Sequence, residues 1–244
     1  MINIVTCVWN AEKYIGLCID SILEQNYQNY RVFIIDDVSN DQTVDIIKQK
    51  ILSNSKFHLI ENKQKKFKLK NLDNIISDTN LMQDNDIIVE LDGDDWLSRK
   101  DALDIVNRAY SNNSKLLIAN SKFKYIDNRE GFSRYVDIDY VRYTNFCFSH
   151  LRTWKCSLWR AIDKRYFIDP RSEDGSYFKI TADMAYSLPM LEIAGQERYS
   201  YIPEILLVYN DFNPHNDHKA GSAAGGRMEQ GASDQIIRRL KYVD

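Results

Sequence analysis

The chain has 244 residues, 44% apolar and 27% charged, with a net charge of −3. That length and apolar content suit one large α/β domain with a sizeable core. The slightly acidic balance argues against a general nucleic-acid binder. No apolar stretch approaches the ~20 residues that span a bilayer, and polar residues interrupt the N-terminus by Asn10, so neither a transmembrane segment nor a signal peptide is expected.

Four cysteines (Cys7, Cys18, Cys147, Cys156) lack paired metal-ligand spacing and read as buried thiols in a reducing compartment. The expected location is cytoplasmic, in a bacterium or as a viral protein in a host cell, with peripheral attachment to a membrane left open. Abundant Asn, Ile, Lys, Asp and Tyr hint at an AT-rich genome.

Residues 2–8 are β-rich and read as a first strand. Residues 11–25 follow as a helix, with Tyr14, Leu17, Cys18, Ser21 and Ile22 on one face and Asn10 as its N-cap. A buried strand at 30–35 ends in Asp36-Asp37. A helix over 41–52, a short strand over 57–61 and a helix over 69–76 come next. Lys63, Lys65, Lys66, Lys68 and Lys70 read as a solvated face.

Residues 87–91 form a buried strand that delivers Asp92, Asp94 and Asp95 at its end. Like charges this close repel, and desolvating them is costly unless a cation takes up the charge. A hard divalent ion shared with a phosphate is the simplest resident, with Gly93 letting the backbone turn. The alternating elements predict a mostly parallel sheet, whose carboxyl ends bind ligands and bring both acidic clusters together. Asp37, Ser39 and Asp41 do not make a calcium loop, because Gln42 and Lys48 replace the needed Gly and Glu.

Farther on, 116–125 and 132–141 read as strands and 158–162 as a short helix. Residues 182–194 read as a helix closed by Gly195, and 199–209 as a last strand. The Gly-, Ala- and Ser-rich stretch 219–233 reads as a mobile tail.

Three segments in series resemble family 2 glycosyltransferases with the GT-A fold. They are Thr6-Cys7-Val8-Trp9-Asn10-Ala11-Glu12 with its continuation to Tyr27, Ile35-Asp36-Asp37-Val38-Ser39-Asn40-Asp41, and Leu91-Asp92-Gly93-Asp94-Asp95-Trp96 in the place of that family's DXD motif. The resemblance implies an α/β, Rossmann-like nucleotide-diphospho-sugar transferase fold with a mostly parallel central sheet. By it, residues 1–218 form the catalytic domain, with 1–100 the nucleotide-binding half and 101–218 the acceptor-binding half, and 219–244 a flexible tail.

The same resemblance implies an inverting, metal-dependent transfer of a hexose, glucose or galactose, from a UDP-sugar to a hydroxyl acceptor on a glycan or protein. Cys7, Trp9, Asn10, Asp37, Asp92 and Asp94 are its nucleotide residues, with Trp9 against the uracil and Asp37 accepting the uracil N3–H. Asp94, Asp95 and His218 are its ligands for Mn²⁺ or Mg²⁺, with His215 as an alternate and Lys219 beside a phosphate. Asp183, at the start of a helix, is the expected general base, with Glu173 and Asp174 as rivals. His150, Arg152, Trp154 and Asp174 are the expected sugar and acceptor contacts. Two other readings stand beside this one: a catalytically silent nucleotide-sugar-binding module of a larger protein, and a haloacid-dehalogenase-type phosphatase. The second is opposed by Trp96, where that class needs Thr or Val, and by the unexplained Asp36-Asp37.

Overall fold

The computed structural model describes residues 1–213 and 225–240. Among them the chain builds one eight-stranded sheet in the order β3-β2-β1-β4-β7-β6-β8-β5. The strands are β1 (Ile2–Val8), β2 (Tyr30–Asp36), β3 (Phe57–Glu61), β4 (Ile87–Glu90), β5 (Trp96–Leu97), β6 (Ile118–Tyr125), β7 (Arg152–Lys155) and β8 (Tyr199–Tyr209). The helices are α1 (Ile15–Leu23), α2 (Thr43–Lys50), α3 (Phe67–Ile76), α4 (Ala102–Asn112), α5 (Cys156–Ala161), α6 (Ala182–Ala194) and α7 (Gly225–Arg239).

Strand alternation explains the two-sided core. Val5, Phe33, Ile35 and Ile88 face one apolar layer, which holds α3, α5 and α6. Ile4, Val32, Ile34 and Val89 face the other, against α1 and α4. A sheet covered on both faces favours the near-continuous apolar runs seen in β1, β2 and β4.

β1, β2, β3 and β4 are parallel, β7 is antiparallel to both β4 and β6, and β6 and β8 are parallel to each other. This arrangement brings the carboxyl ends of β1, β2, β4, β6 and β8 and the amino end of β7 to one edge of the sheet. Val8 pairs with Asp36, and Val5 with Glu90, so the two acidic clusters are neighbours as expected.

Four sequence expectations differ from the structure. The first helix starts at Ile15, because Asn10 adopts φ 50° and its side chain accepts from the Asn40 amide across the fold rather than capping locally. Residues 132–141 are not a strand. Their apolar members Val136, Ile138 and Val141 are buried, but the Val136 amide donates to Tyr199 Oη and the Ile138 amide to Gln196 Oε1. β7 and α4 are elements the sequence reading did not separate. Part of the expected mobile tail forms α7, where the Ile237 side chain is buried and the Ile237 carbonyl accepts from Arg142 at 2.6 Å.

Trp154 is fully buried. It stacks on Trp159 at 5.8 Å between ring centroids and packs on Tyr186 at 5.4 Å, under the sheet and away from solvent. The sugar contact expected of it is corrected: it is a core residue. Trp154→Ala should lower stability by about 3–5 kcal/mol, the usual range for a buried Trp truncation. Urea unfolding monitored by circular dichroism measures that loss.

Candidate active site

A cleft of about 810 Å³ opens along the strand ends described above. Cys7, Trp9, Asp37, Asp92, Asp94, His150, Arg152 and Asp183 all line it, so the fold gathers most of the sequence-predicted site.

The nucleotide side is built from loops that brace one another. The Asn10 amide donates to Ser39 Oγ, the Ala11 amide to Thr43 Oγ1 and the Glu12 amide to Asp41 Oδ2. Asn10 takes part in this bracing, its Oδ1 accepting from the Asn40 amide, and is not among the residues lining the cleft. Trp9 is on the wall, with the Lys65 ammonium 3.1 Å from its ring centroid, a cation–π contact.

Asp37 is buried, and the chain itself engages its carboxylate three times. Oδ1 accepts from Asn62 Nδ2 and the Lys66 amide, both at 2.9 Å, and Oδ2 accepts from the Phe67 amide at 2.8 Å. A carboxylate has about four acceptor directions, so one remains on Oδ2. The Phe67 bond also holds that residue at φ 63°, a left-handed conformation costly for an aromatic side chain. Thr181, before α6, is left-handed too (φ 60°), and both line the cleft, where strain of this kind commonly collects.

Gly93 sits where β4 passes β1. A Cβ there would meet Val8 Cγ2 at 2.7 Å. Close approach to β1, rather than a special turn angle, is why only glycine fits. Its amide donates to the Cys7 carbonyl, which fixes the acidic loop to β1.

The loop after β8 then seats two of the carboxylates. The Asn210 amide donates to Asp95 Oδ1 at 2.8 Å, and Asn213 Nδ2 donates to Asp94 Oδ2 at 2.7 Å. Asp95 is fully buried, and its Oδ2 has no hydrogen-bond partner. Burial, and then repulsion from Asp94 and Asp92, hold its proton well above the usual carboxylate range. Burial, and then repulsion from Asp92, push Asp94 up to about 6.

Donor atoms of Asp92, Asp95 and His150 lie within 4.8 Å of one another. His150 stacks on Tyr209 at 5.2 Å. Burial, with the Arg152 and Lys68 charges, holds its imidazole neutral, the form that ligates metals. Two carboxylates, one of them with a buried unpartnered oxygen, and one imidazole fit a divalent cation. His150 therefore joins the candidate ligands rather than standing only as a sugar contact, and Asp92 joins with it. The expected ligand His218, its alternate His215 and Lys219 lie outside the described residues.

Beneath the acids runs a charge network that sequence reasoning missed. Lys68, read as part of a solvated face, reaches Asp92 at 2.6 Å and Glu90 Oε1 at 2.7 Å. Glu90, 2% exposed, also accepts from Arg152 Nε at 2.6 Å and from Tyr186 Oη. Burial alone would raise the Glu90 carboxyl, but the Arg152 and Lys68 cations outweigh it and hold it well below the usual range. Arg152 NH1 is buried without a hydrogen bond and lies 3.6 Å from Asp183 Oδ2. Asp183 stands in the first turn of α6 and lines the same cleft. The only sequence signal for this network was a Glu ending an apolar strand, which an adjacent acidic motif obscured.

Asp174 is not in the cleft. It lies in an exposed loop, where bonds from Ser172 and Ser176 hold it down to about 2, and it lines an adjoining groove that shares Lys179 and Ile180 with the cleft.

The sequence pattern of glycosyl transferase family 2 matches residues 3–169, more than half of the chain. The chain belongs to that family. Among its relatives, an uncharacterized glycosyltransferase of Haemophilus influenzae is 32% identical over 63 residues, covering 26% of this chain and 20% of that protein. Glycosyltransferase GlyG of Streptococcus pneumoniae is 28% identical over 65 residues, 27% of this chain and 22% of that one. The matched segments thus span about a fifth of these family 2 relatives. In fold, the chain resembles S. aureus TarS solved with UDP-GlcNAc (TM-score 0.70, 15% identity, all of this chain and 68% of that one). It also resembles glucosyl-3-phosphoglycerate synthase of Mycobacterium tuberculosis solved with Mn²⁺, UDP and its product (TM-score 0.63, 13% identity, 98% of this chain and 79% of that one). The GT-A fold expected from sequence is therefore the fold found. No helix among the described residues is long and apolar enough to cross a membrane.

The raised carboxyls set the sign of a pH response. A proton held on Asp94 up to about 6, above its unfolded value, favours folding at low pH, and that contribution is lost as pH rises through about 6. Asp95 acts in the same direction. Depressed carboxyls such as Asp73 act in the acid range below the usual carboxylate value, outside that window. In EDTA, Asp94 and Asp95 should lower Tm as pH rises from about 4 to about 6, opposed in part by His150, whose depressed imidazole pKa adds stability as pH rises toward its ordinary value. Mn²⁺ should abolish the fall, because a bound cation stabilises the ionised carboxylates. Thermal melts at several pH values with and without Mn²⁺ check this.

Proposed function

We propose that the cleft is the active site of an inverting, metal-dependent glycosyltransferase that moves a hexose, glucose or galactose, from a UDP-sugar to a hydroxyl on a glycan or protein acceptor. One observation carries the reading: donor atoms of Asp92, Asp95 and His150 converge within 4.8 Å, and Asp92 and His150 line the same cleft as the helix-start carboxylate Asp183. The complexes of TarS with UDP-GlcNAc and of the mycobacterial synthase with UDP and Mn²⁺ support it at the level of fold.

Trp9, Cys7 and the remaining acceptor direction of Asp37 form the uridine pocket in this reading. Asp92, Asp95 and His150 would hold Mn²⁺ or Mg²⁺, with Asp94 beside them on Asn213. When bound, the cation supplies the positive charge that a departing diphosphate needs. Arg152 NH1, buried and unbonded, offers a charged donor to a sugar hydroxyl or a phosphate oxygen. Asp183 takes the proton of the acceptor hydroxyl as that oxygen attacks the anomeric carbon, and UDP leaves from the opposite face.

Two measurements test the reading. UDP titrated calorimetrically should bind with Mn²⁺ and not with EDTA; equal binding in both would remove the metal from the site. Asp183→Asn should keep UDP affinity while hexose transfer falls by roughly 10²–10⁴-fold, the scale of a lost general base. Undiminished turnover would transfer that role elsewhere. UDP binding without sugar release across many acceptors would favour the silent-module alternative.

A further inference from the structure

The charge balance beneath the cleft assigns Glu90 a function of its own. Glu90 is the residue before the acidic loop, it is 2% exposed, and its two oxygens grip cations from two different elements. Oε1 meets Lys68 from α3 at 2.7 Å, and Oε2 meets Arg152 from β7 at 2.6 Å, with Tyr186 of α6 donating to the same oxygen. Lys68 is shared: its ammonium also lies 2.6 Å from Asp92 Oδ1 and 2.8 Å from Asp92 Oδ2. A lysine held only by Asp92 would neutralise a candidate metal ligand. Here half of its attention is drawn off by Glu90.

Counting charges sharpens the point. Setting aside Asp183, which approaches Arg152 at 3.6 Å but is 39% exposed to solvent, the four ionised carboxylates of Glu90, Asp92, Asp94 and Asp95 exceed the two cations Lys68 and Arg152 by two, a deficit one divalent ion fills. Remove the Glu90 charge and the deficit drops to one, with Lys68 left entirely to Asp92.

We propose that Glu90 is a positioning residue for the metal site: it holds Lys68 away from full pairing with Asp92 and leaves the cluster with the charge deficit of one divalent ion. The inference rests on the cleft being a metal-dependent transfer site, but it concerns affinity for the ion and needs no knowledge of donor or acceptor. It also separates Glu90 from a mere core ion pair, since a structural pair would not answer to the charge on Lys68.

The test is calorimetric titration of Mn²⁺, at one fixed UDP concentration throughout and with an Mn²⁺-into-UDP blank subtracted, into wild type, Glu90→Gln, Lys68→Met and the double variant, with circular dichroism to confirm folding. Glu90→Gln should weaken Mn²⁺ binding roughly 10–100-fold, the range for residues that support a ligand from behind. Lys68→Met should bind Mn²⁺ more tightly than wild type. The double variant restores the deficit of two and should return to within about threefold of wild type. Wild-type affinity in Glu90→Gln, or a double variant as weak as Glu90→Gln, overturns the proposal; the latter would assign the loss to packing. If Glu90→Gln does not fold, Lys68→Met alone decides, and binding weaker than or equal to wild type refutes the idea. Failure of wild type itself to bind Mn²⁺ would instead overturn the metal-dependent function.

Discussion

Concentrated negative charge at the end of β4 is the constraint that the rest of the site answers. Three aspartates follow one glutamate within six residues; Glu90 and Asp95 are buried, and Asp92 and Asp94 stand half-buried on the cleft wall. Isolated, each ionised carboxylate would cost several kcal/mol to bury. The chain meets that cost unevenly. Glu90 is fully compensated by Arg152 and Lys68 and stays ionised. Asp95 receives one backbone amide and keeps a bare oxygen. That asymmetry distinguishes a carboxylate whose charge the chain itself balances from one kept open for a ligand. A protein built only for stability would have closed both, since apolar residues packed in place of buried ion pairs often cost nothing.

The loops around the acids are held by contacts far apart in sequence. Asp37 reaches forward to the start of α3, Asn213 reaches back to Asp94, and Ser39 and Thr43 hold the segment before α1. Each of these is a side chain satisfying a backbone amide or a side-chain amide matching a carboxylate. Together they fix the irregular segments where no ladder of strand bonds is available. The left-handed residues Phe67 and Thr181 persist only because such contacts over-determine them.

The first hundred residues were legible because local rules and tertiary structure agree there. Apolar strands, turn residues and acids at strand ends occur in a repeating order, so β1 to β4 and both acidic clusters could be read directly, and α6 and β8 were matched residue for residue. What escaped depended on partners that sequence does not name. β7 is four residues long and carries Arg, Thr, Trp and Lys, a poor strand by composition, and it exists because β4 and β6 flank it. Its aromatic and basic character suggested a sugar platform, yet alternation sends Trp154 into the core. Lys68 belonged to a run of lysines that looked solvated, and only the fold shows that one of them turns inward. Asn10 and Asp174 were read as ligands by position; the fold engages Asn10 with Asn40 thirty residues on and Asp174 with Ser172 and Ser176.

The direction of β7 ties these observations together. In a wholly parallel sheet every strand would present its carboxyl end to the cleft, and the chain would supply the site only through loops that leave strands. β7 runs the other way, so its amino end stands beside the carboxyl end of β4, and Arg152 pairs in register with Glu90. His150 and Arg152 therefore arrive at the acids from a strand start, where a rigid neighbour sets their positions. Cross-strand opposition is also the geometry in which opposite charges gain most from a sheet. Tyr186 and Asp183, three residues apart on α6 and so on one face of it, meet the same arginine environment. One reversed strand thus places the imidazole among the carboxylates, supplies the cation that makes Glu90 bearable, and links the helix bearing Asp183 to the sheet bearing the acids.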